Sequence, residues 1–114
     1  IHNLYMQNNT LNMAACPWFS PPEHLTYFNP QSLKATVESF GFNTISIMTD
    51  FPMGIFLLNE ETDYYQTNSG KIAHSIRVSF LNLISKDMRK AVNLCIAMAD
   101  AGIGRCLMGV FSKL

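Results

Sequence analysis

The pattern of apolar residues divides the chain into helical and extended segments. The first helical spacing is formed by Leu33, Val37 and Phe40. It follows Asn29-Pro30, a typical helix start, because asparagine caps a helix and proline fits its first turn. It ends at Gly41, since glycine readily adopts the left-handed conformation that closes helices. We therefore predict a helix between these two signals.

A strand is predicted directly after this helix, because residues 42–51 follow a two-residue period. One side of the strand would carry Ile45, Ile47 and Phe51, and the other Thr44, Ser46 and Met48. Pro52 ends the strand, since proline has no backbone N–H to donate. Residues 53–58 form an apolar run that is short enough to be either a helix or a buried strand.

The second half of the chain is predicted to contain two helices and a last strand. After the polar residues 59–70, a helical stripe comprises Ile72, Ile76, Phe80, Leu83 and Ile84. A further helix from Met88 to Ala101, ended by Gly102, would turn Val92, Cys95, Ile96 and Ala99 inward. In the last strand, residues 105–113, one face would carry Leu107, Gly109 and Phe111. This order of elements predicts an α/β protein.

Composition and charge exclude several classes of protein. The chain has 114 residues, 48% of them hydrophobic and 14% charged, which excludes intrinsic disorder. Eight basic and eight acidic residues are spread without a like-charge block, so we expect neither nucleic acid nor a membrane surface as partner. No apolar stretch approaches the roughly 20 residues of a membrane-spanning helix.

The cysteines and histidines point to no metal or disulfide framework. Three cysteines at wide spacing form no CxxC pair, which favours a reducing compartment, and we expect a cytoplasmic protein. The histidines, His2, His24 and His74, are far apart in sequence and have no zinc-ligand spacing. No phosphate-binding loop occurs, and the Gly102-Ile103-Gly104 turn follows a helix, the reverse of a nucleotide-binding turn.

One ordered series of motifs resembles a known superfamily. Residues 21–33 read PPEHLTYFNPQSL and are followed by Gly41-Phe42. This series resembles the C-terminal half of class I S-adenosylmethionine-dependent methyltransferases, in which P-x-H-L-x-Y-F leads into the helix before the sixth strand. Residues 49–53 (TDFPM) and 102–105 (GIGR) look like a bacterial branch in which a helical insertion separates the last two strands. The resemblance covers most of residues 17–113.

The resemblance implies a partial, Rossmann-like domain with an incomplete sheet, whose last two strands pair antiparallel. Its parts would be a substrate-side loop (1–29), a helix and strand (30–52), a helical insertion (53–104) and the final strand (105–114). The superfamily's glycine-rich loop and ribose-binding acid, which hold S-adenosylmethionine, are absent from the chain. A chain that starts at Ile1 is therefore expected to be the substrate-side fragment of a methyltransferase for a small-molecule acceptor, and inactive alone.

The resemblance also suggests site residues. In related sugar C-methyltransferases the matching stretch reads Y-x-E-H, with the tyrosine and histidine at the substrate. Glu23 and His24 match, whereas Pro21 replaces the tyrosine, so His24 would act alone as base or bind substrate. Catalysis would be direct displacement of the methyl group by the substrate nucleophile, with a histidine suited to accept its proton near neutral pH.

Further candidates come from the residues themselves. Trp18 and Phe19, in a proline-rich loop, would either form an aromatic wall over a substrate or pack the loop on the sheet. Tyr27 would direct its hydroxyl toward the site. His74 and Arg77 lie three residues apart on one helix, where they would bind an anionic substrate or form a solvated helix face.

Two other hypotheses stay open. The chain could be a non-catalytic interaction or assembly domain that keeps the methyltransferase scaffold, or an independent binding module whose resemblance is coincidental. Because a half-sheet leaves strand edges and apolar faces uncovered, we expect a homo-oligomer, most simply a dimer.

Overall fold

The computed structural model describes residues 22–114. Along the chain the elements are α1 (Pro30–Ser39), β1 (Phe42–Thr49), a 3₁₀ helix (Met53–Leu58), α2 (Gly70–Ile84), α3 (Met88–Asp100) and β2 (Leu107–Lys113). The two strands form a two-stranded antiparallel sheet, and the described part is a mixed α/β structure. The insertion between the strands is helical, and residues 53–58, for which the sequence allowed a helix or a buried strand, form the 3₁₀ helix.

Helix α1 begins and ends at the predicted signals. The Asn29 side chain accepts a hydrogen bond from the Ser32 amide at 2.7 Å, and the Asn29 amide donates to the Ser32 hydroxyl at 3.0 Å. This reciprocal pair is a capping box, which satisfies amides that a helix start leaves unpaired. Gly41 follows the helix with a φ of 82°, a left-handed conformation that suits glycine. Both boundary predictions are confirmed.

The strand prediction is confirmed for β1, but one of its faces is wrong. Pairing runs from Phe42 opposite Lys113 to Thr49 opposite Leu107, with an irregularity between Thr44 and Ser46. Ile45 is the extra residue of this β-bulge and is 65% exposed. A bulge interrupts the two-residue alternation on which the placement of Ile45 beside Ile47 was based.

The insertion has its own small aromatic core. Phe51, Met53 and Ala73 are buried, and partly buried side chains pack around them: Phe56, Tyr64, Phe80 and Leu81. The Phe51 ring lies 6.0 Å from the Phe56 ring in a stacked arrangement and 5.2 Å from the Phe80 ring edge-on. Both separations are in the favourable range for aromatic pairs. This core fixes the 3₁₀ helix and α2 to the end of β1.

Helix α2 buries only part of the predicted apolar stripe. Ala73 is 2% exposed and Phe80 packs on the core, but Ile72, Ile76 and Leu83 are 65%, 45% and 64% exposed. Two neighbouring sides of this helix carry apolar residues, because residues 72, 76 and 83 share one side, and 73, 80 and 84 lie on the next together with Arg77. The single stripe predicted from the sequence contains residues of both sides.

Helix α3 lies on the strand layer. It packs against β1, as α1 does, and it buries Ala91, Met98 and Ala99. Its N-terminus is capped by the Asp87 side chain, which accepts from the Lys90 amide at 3.2 Å. After its last turn Gly102 has a φ of 71°, which confirms the predicted end. The chain then turns directly into the segment that begins β2.

Candidate functional site

The two motifs at residues 49–53 and 102–105 meet in space. The Asp50 side chain, at the end of β1, accepts hydrogen bonds through Oδ1 from the Arg105 amide at 3.1 Å and the Cys106 amide at 2.8 Å. Its own amide donates to the Cys106 carbonyl at 3.4 Å. A carboxylate that receives two backbone amides makes strong, charge-assisted bonds. Asp50 therefore fixes the start of β2 to the end of β1; we call residues 49–50 and 104–106 the strand junction.

Thr49 and Gly104 complete the strand junction. Thr49 is 1% exposed, and its hydroxyl donates to the Cys106 carbonyl at 2.8 Å. A Cβ on Gly104 would collide with the Thr49 side chain, at Oγ1, Cβ and Cγ2. Glycine is thus required here for close approach rather than for an unusual φ. Both motifs are visible in the sequence, but nothing in their spacing shows that they are in contact.

Cys106 is the titratable group that the strand junction perturbs. Partial burial of the thiol raises its pKa, and the neighbouring Asp50 carboxylate raises it further through its negative charge and a hydrogen bond. The Arg105 guanidinium opposes this by lowering the pKa, without reversing the direction. A thiol held in its protonated form is a poor nucleophile, so this cysteine is suited to structure rather than to covalent catalysis.

The predicted substrate-side loop lies before α1. His24 is an exposed residue of this extended segment, and Tyr27 is 47% exposed. Both are within reach of solvent and of a second molecule. Trp18 and Phe19 lie outside the described residues, so the aromatic wall stays a prediction.

The other two candidates are brought together on α2. The Arg77 guanidinium Nη2 lies 3.3 Å from His74 Nδ1, with His74 exposed and Arg77 half-buried. The predicted shared face is therefore present. Helix α2 packs on the 3₁₀ helix and α3, whereas α1 packs on the two strands. His74 and Arg77 thus belong to the insertion, whereas His24 and Tyr27 lie in the segment before α1.

The described residues do not fit S-adenosylmethionine. Beside Gly104, the Thr49 side chain occupies the space that a ligand would need to approach this glycine. The nearby acid, Asp50, already uses Oδ1 to accept hydrogen bonds from the Arg105 and Cys106 amides, which is a structural role.

Neither a metal centre nor a membrane span appears in the part of the chain that the structure covers. Among residues 22–114, no three histidine, cysteine or acidic side chains are grouped so that they could bind a metal ion. In the same range, every helix is too short or too polar to cross a bilayer. Compared with protein-family models, with curated proteins and with solved structures, the chain shows no significant match.

Proposed function

We propose that this chain is the substrate-side part of a class I S-adenosylmethionine-dependent methyltransferase acting on a small-molecule acceptor. The observation that carries the proposal is the contact at the strand junction. Two motifs of the resemblance contact each other there, although Asp50 and Arg105 are 55 residues apart in sequence. Asp50 of the first motif accepts a hydrogen bond from the Arg105 amide of the second, and Gly104 of the second leaves room for the Thr49 side chain of the first. A chance similarity in two short stretches gives no reason for such mutual dependence.

The topology gives a second line of support. The resemblance implies two antiparallel final strands with a helical insertion between them, and β1 and β2 pair antiparallel on either side of a helical segment. The open two-stranded sheet is also what a partial domain of this kind would contain. In this proposal S-adenosylmethionine is bound by polypeptide other than residues 22–114, and supplies the methyl group.

The chain's own residues would act on the acceptor. His24 would accept the proton of the attacking hydroxyl, amine or carbon acid at an imidazole nitrogen, and its exposed position leaves it accessible to such a molecule. Tyr27 would orient the acceptor through its hydroxyl. His74 and Arg77 would bind an anionic group, since the guanidinium offers several fixed donors. The widely spaced cysteines fit the reducing cytoplasm as its location.

The test is S-adenosylmethionine binding by two forms of the protein. One form is the 114-residue chain; the other is expressed from the natural reading frame with every codon upstream of Ile1. We expect calorimetry to show micromolar binding by the longer form and none by the shorter. A reading frame that adds no cofactor-binding segment, or a longer form that binds no cofactor, would contradict the proposal.

A second measurement tests the role of His24 in the longer form. His24→Gln should lower kcat by about 10²–10⁴-fold while cofactor affinity stays the same, as expected for loss of a general base. His74→Gln is the matched control and should change KM for an anionic acceptor rather than kcat. Equal kcat for His24→Gln and the unaltered enzyme would remove His24 from the catalytic step.

The alternative is a non-catalytic assembly domain on the same scaffold. The exposed apolar side chains of the sheet and α2 favour it, because such surfaces mark interaction sites. It predicts that the longer form assembles with another chain but binds no cofactor, so the same titration separates the two functions.

A further inference from the structure

We propose that α2 is the interface of a homodimer, in which two copies pack their α2 helices antiparallel. The surface concerned is the exposed side of α2 formed by residues 72, 76, 79 and 83, which we call the α2 stripe. It consists of Ile72, Ile76, Ser79 and Leu83, and all four residues are exposed. Spacings of four, three and four residues keep these side chains on one face of a helix, as in paired helices.

The α2 stripe is suited to contact with another helix rather than to solvent. Its three large side chains are 65%, 45% and 64% exposed, although the neighbouring side of the same helix already supplies the aromatic core. Ser79, a small residue in the middle of the stripe, would let a second helix approach closely. A helix with one buried face and a second apolar stripe has a surface left for a partner.

The charges at the two ends of α2 indicate which partner binds the α2 stripe and in which orientation. The turn that packs against the start of α2, where the Ser69 hydroxyl donates to the Thr62 carbonyl at 3.2 Å, carries the exposed acids Glu60 and Glu61. The segment just beyond the other end of α2 carries the exposed bases Lys86 and Arg89. Lys71, an exposed base in the first turn of α2, and Asp87, which pairs with Lys90 beyond the last turn, offset part of these charges. Each copy still has a net acidic end and a net basic end. Antiparallel packing brings the acidic end of each copy against the basic end of the other, and parallel packing would oppose like charges.

The charges at the basic end are free for this purpose. Within residues 22–114, Lys90 pairs with Asp87 at 3.5 Å, whereas Lys86 and Arg89 make no ion pair. Because a two-fold axis repeats every contact, the acidic and basic ends of the two copies would meet twice. A second copy of this chain is thus the partner whose charges complement the surface.

The shape of the helix ends fits the same alignment. An open concavity of about 410 Å³ lies between the end of α2 and the start of α3, with Leu83, Ile84 and Leu94 among its lining residues. In the antiparallel register that places Ile76 opposite Ser79 of the second copy, Ile72 lies opposite Leu83 of the second copy, beside this concavity. The most exposed side chain of the α2 stripe would therefore pack against an apolar recess.

The first test is the mass of the full chain in solution. Sedimentation equilibrium at micromolar concentration should give twice the 12.8 kDa chain mass. Ile76→Glu should raise the dimer dissociation constant by on the order of 30-fold or more, the effect of losing a central apolar contact. Ile45→Glu is the control, because Ile45 is also an exposed isoleucine, at 65% against 45% for Ile76, but lies on β1. It should leave the constant unchanged.

A charge swap tests the orientation. Glu60→Lys with Glu61→Lys, and separately Lys86→Glu with Arg89→Glu, should each weaken the dimer several-fold, and the four changes together should restore it. Lys34→Glu with Lys113→Glu, two exposed bases away from α2, should have no effect. Circular dichroism of each variant checks the fold.

Three outcomes would overturn the proposal. These are a monomeric chain, a dimer insensitive to Ile76→Glu in a folded variant, and a four-residue swap that fails to restore association. None of these measurements involves the cofactor, so the dimer and the proposed methyltransferase function can fail independently.

Discussion

The strand junction immediately precedes Phe51 of the aromatic core, α2 contributes Ala73 and Phe80 to that core, and the two regions meet different demands. At the junction, Thr49 is 1% exposed, its hydroxyl is paired, and the Asp50 carboxylate receives two backbone amides. On α2, one side is buried while Ile72 and Leu83 each remain about two-thirds exposed. Contacts among the described residues satisfy the junction, whereas the exposed stripe of α2 is left for the second copy proposed above.

This difference shows that the hydrogen-bond pairing of buried polar groups and the covering of apolar side chains are separate properties of a fold. A buried polar group without a partner is costly, so the junction must satisfy its donors and acceptors within the chain. An exposed isoleucine destabilises the free chain less than an unpaired buried polar group does, and its burial against a second surface then stabilises the complex. A chain can therefore be well formed at one region and still be built for contact at another.

The largest effect is expected where the two regions share the aromatic core. Phe51→Ala removes a buried ring that packs on Phe56 and Phe80, and it should lower the free energy of unfolding by about 3–5 kcal/mol. Urea unfolding followed by circular dichroism measures this. Phe40→Ala is the control, because Phe40 is 77% exposed, and it should cost less than ~0.5 kcal/mol. Similar losses for both variants would mean that the core is not where the structure puts it.

A smaller loss is expected from crowding the strand junction. Gly104→Ala drives a methyl group into the Thr49 side chain, so the backbone must shift and the free energy of unfolding should fall by about 1–3 kcal/mol. Gly70→Ala is a matched change, because its Cβ would find only Tyr64 Cβ, at 3.9 Å, and alanine suits a helix. It should leave stability unchanged or raise it by up to ~1 kcal/mol. The reverse order of the two variants in urea would contradict the close approach at Gly104.

The smallest effect is a pH shift confined to the strand junction. Because the pKa of Cys106 is raised in the folded chain, the unfolded chain loses the thiol proton at a lower pH than the folded chain does. The free energy of unfolding should therefore decrease as pH rises through the alkaline range. Asp50→Asn keeps an oxygen acceptor for the two amides but removes the charge, and the pKa of Cys106 should move down toward its ordinary value. The pH dependence of iodoacetamide alkylation measures this, with Cys16 and Cys95 changed to serine.

The control for this titration is a carboxylate in an unrelated turn. Asp63 accepts from the Tyr65 amide at 2.9 Å, away from Cys106 in the chain, so Asp63→Asn should leave the Cys106 titration unchanged. An unchanged midpoint in Asp50→Asn would instead assign the whole shift to burial of the thiol.

Local signals explain why most of the fold could be predicted from the sequence. The Asn29-Pro30 start and the Gly41 and Gly102 ends are set by neighbouring residues, and each boundary is confirmed. The face of Ile45 depends on a bulge, which arises from pairing with β2 far along the chain. The buried side of α2 depends on where Phe51 packs, and no periodicity within α2 selects between its two apolar faces.

The candidate site was less accessible to sequence reasoning. His74 and Arg77 were predicted to share a face because helical spacing is local, and they do. The contact between Asp50 and the amides of Arg105 and Cys106 joins strand ends that only the folded chain brings together. Gly104 was interpreted as part of a tight turn, and its requirement for close approach to Thr49 becomes visible only with that contact in place.

Hydrogen exchange measured at two protein concentrations tests most directly whether the junction is complete within one chain while α2 is built for a partner. Mass spectrometry of peptides reports β1, β2 and α2 separately. We predict that protection of β1 and β2 is the same at nanomolar and high micromolar concentration, and that protection of α2 increases at the higher one. Protection of α2 that does not depend on concentration, or protection of the strands that does, would contradict the account.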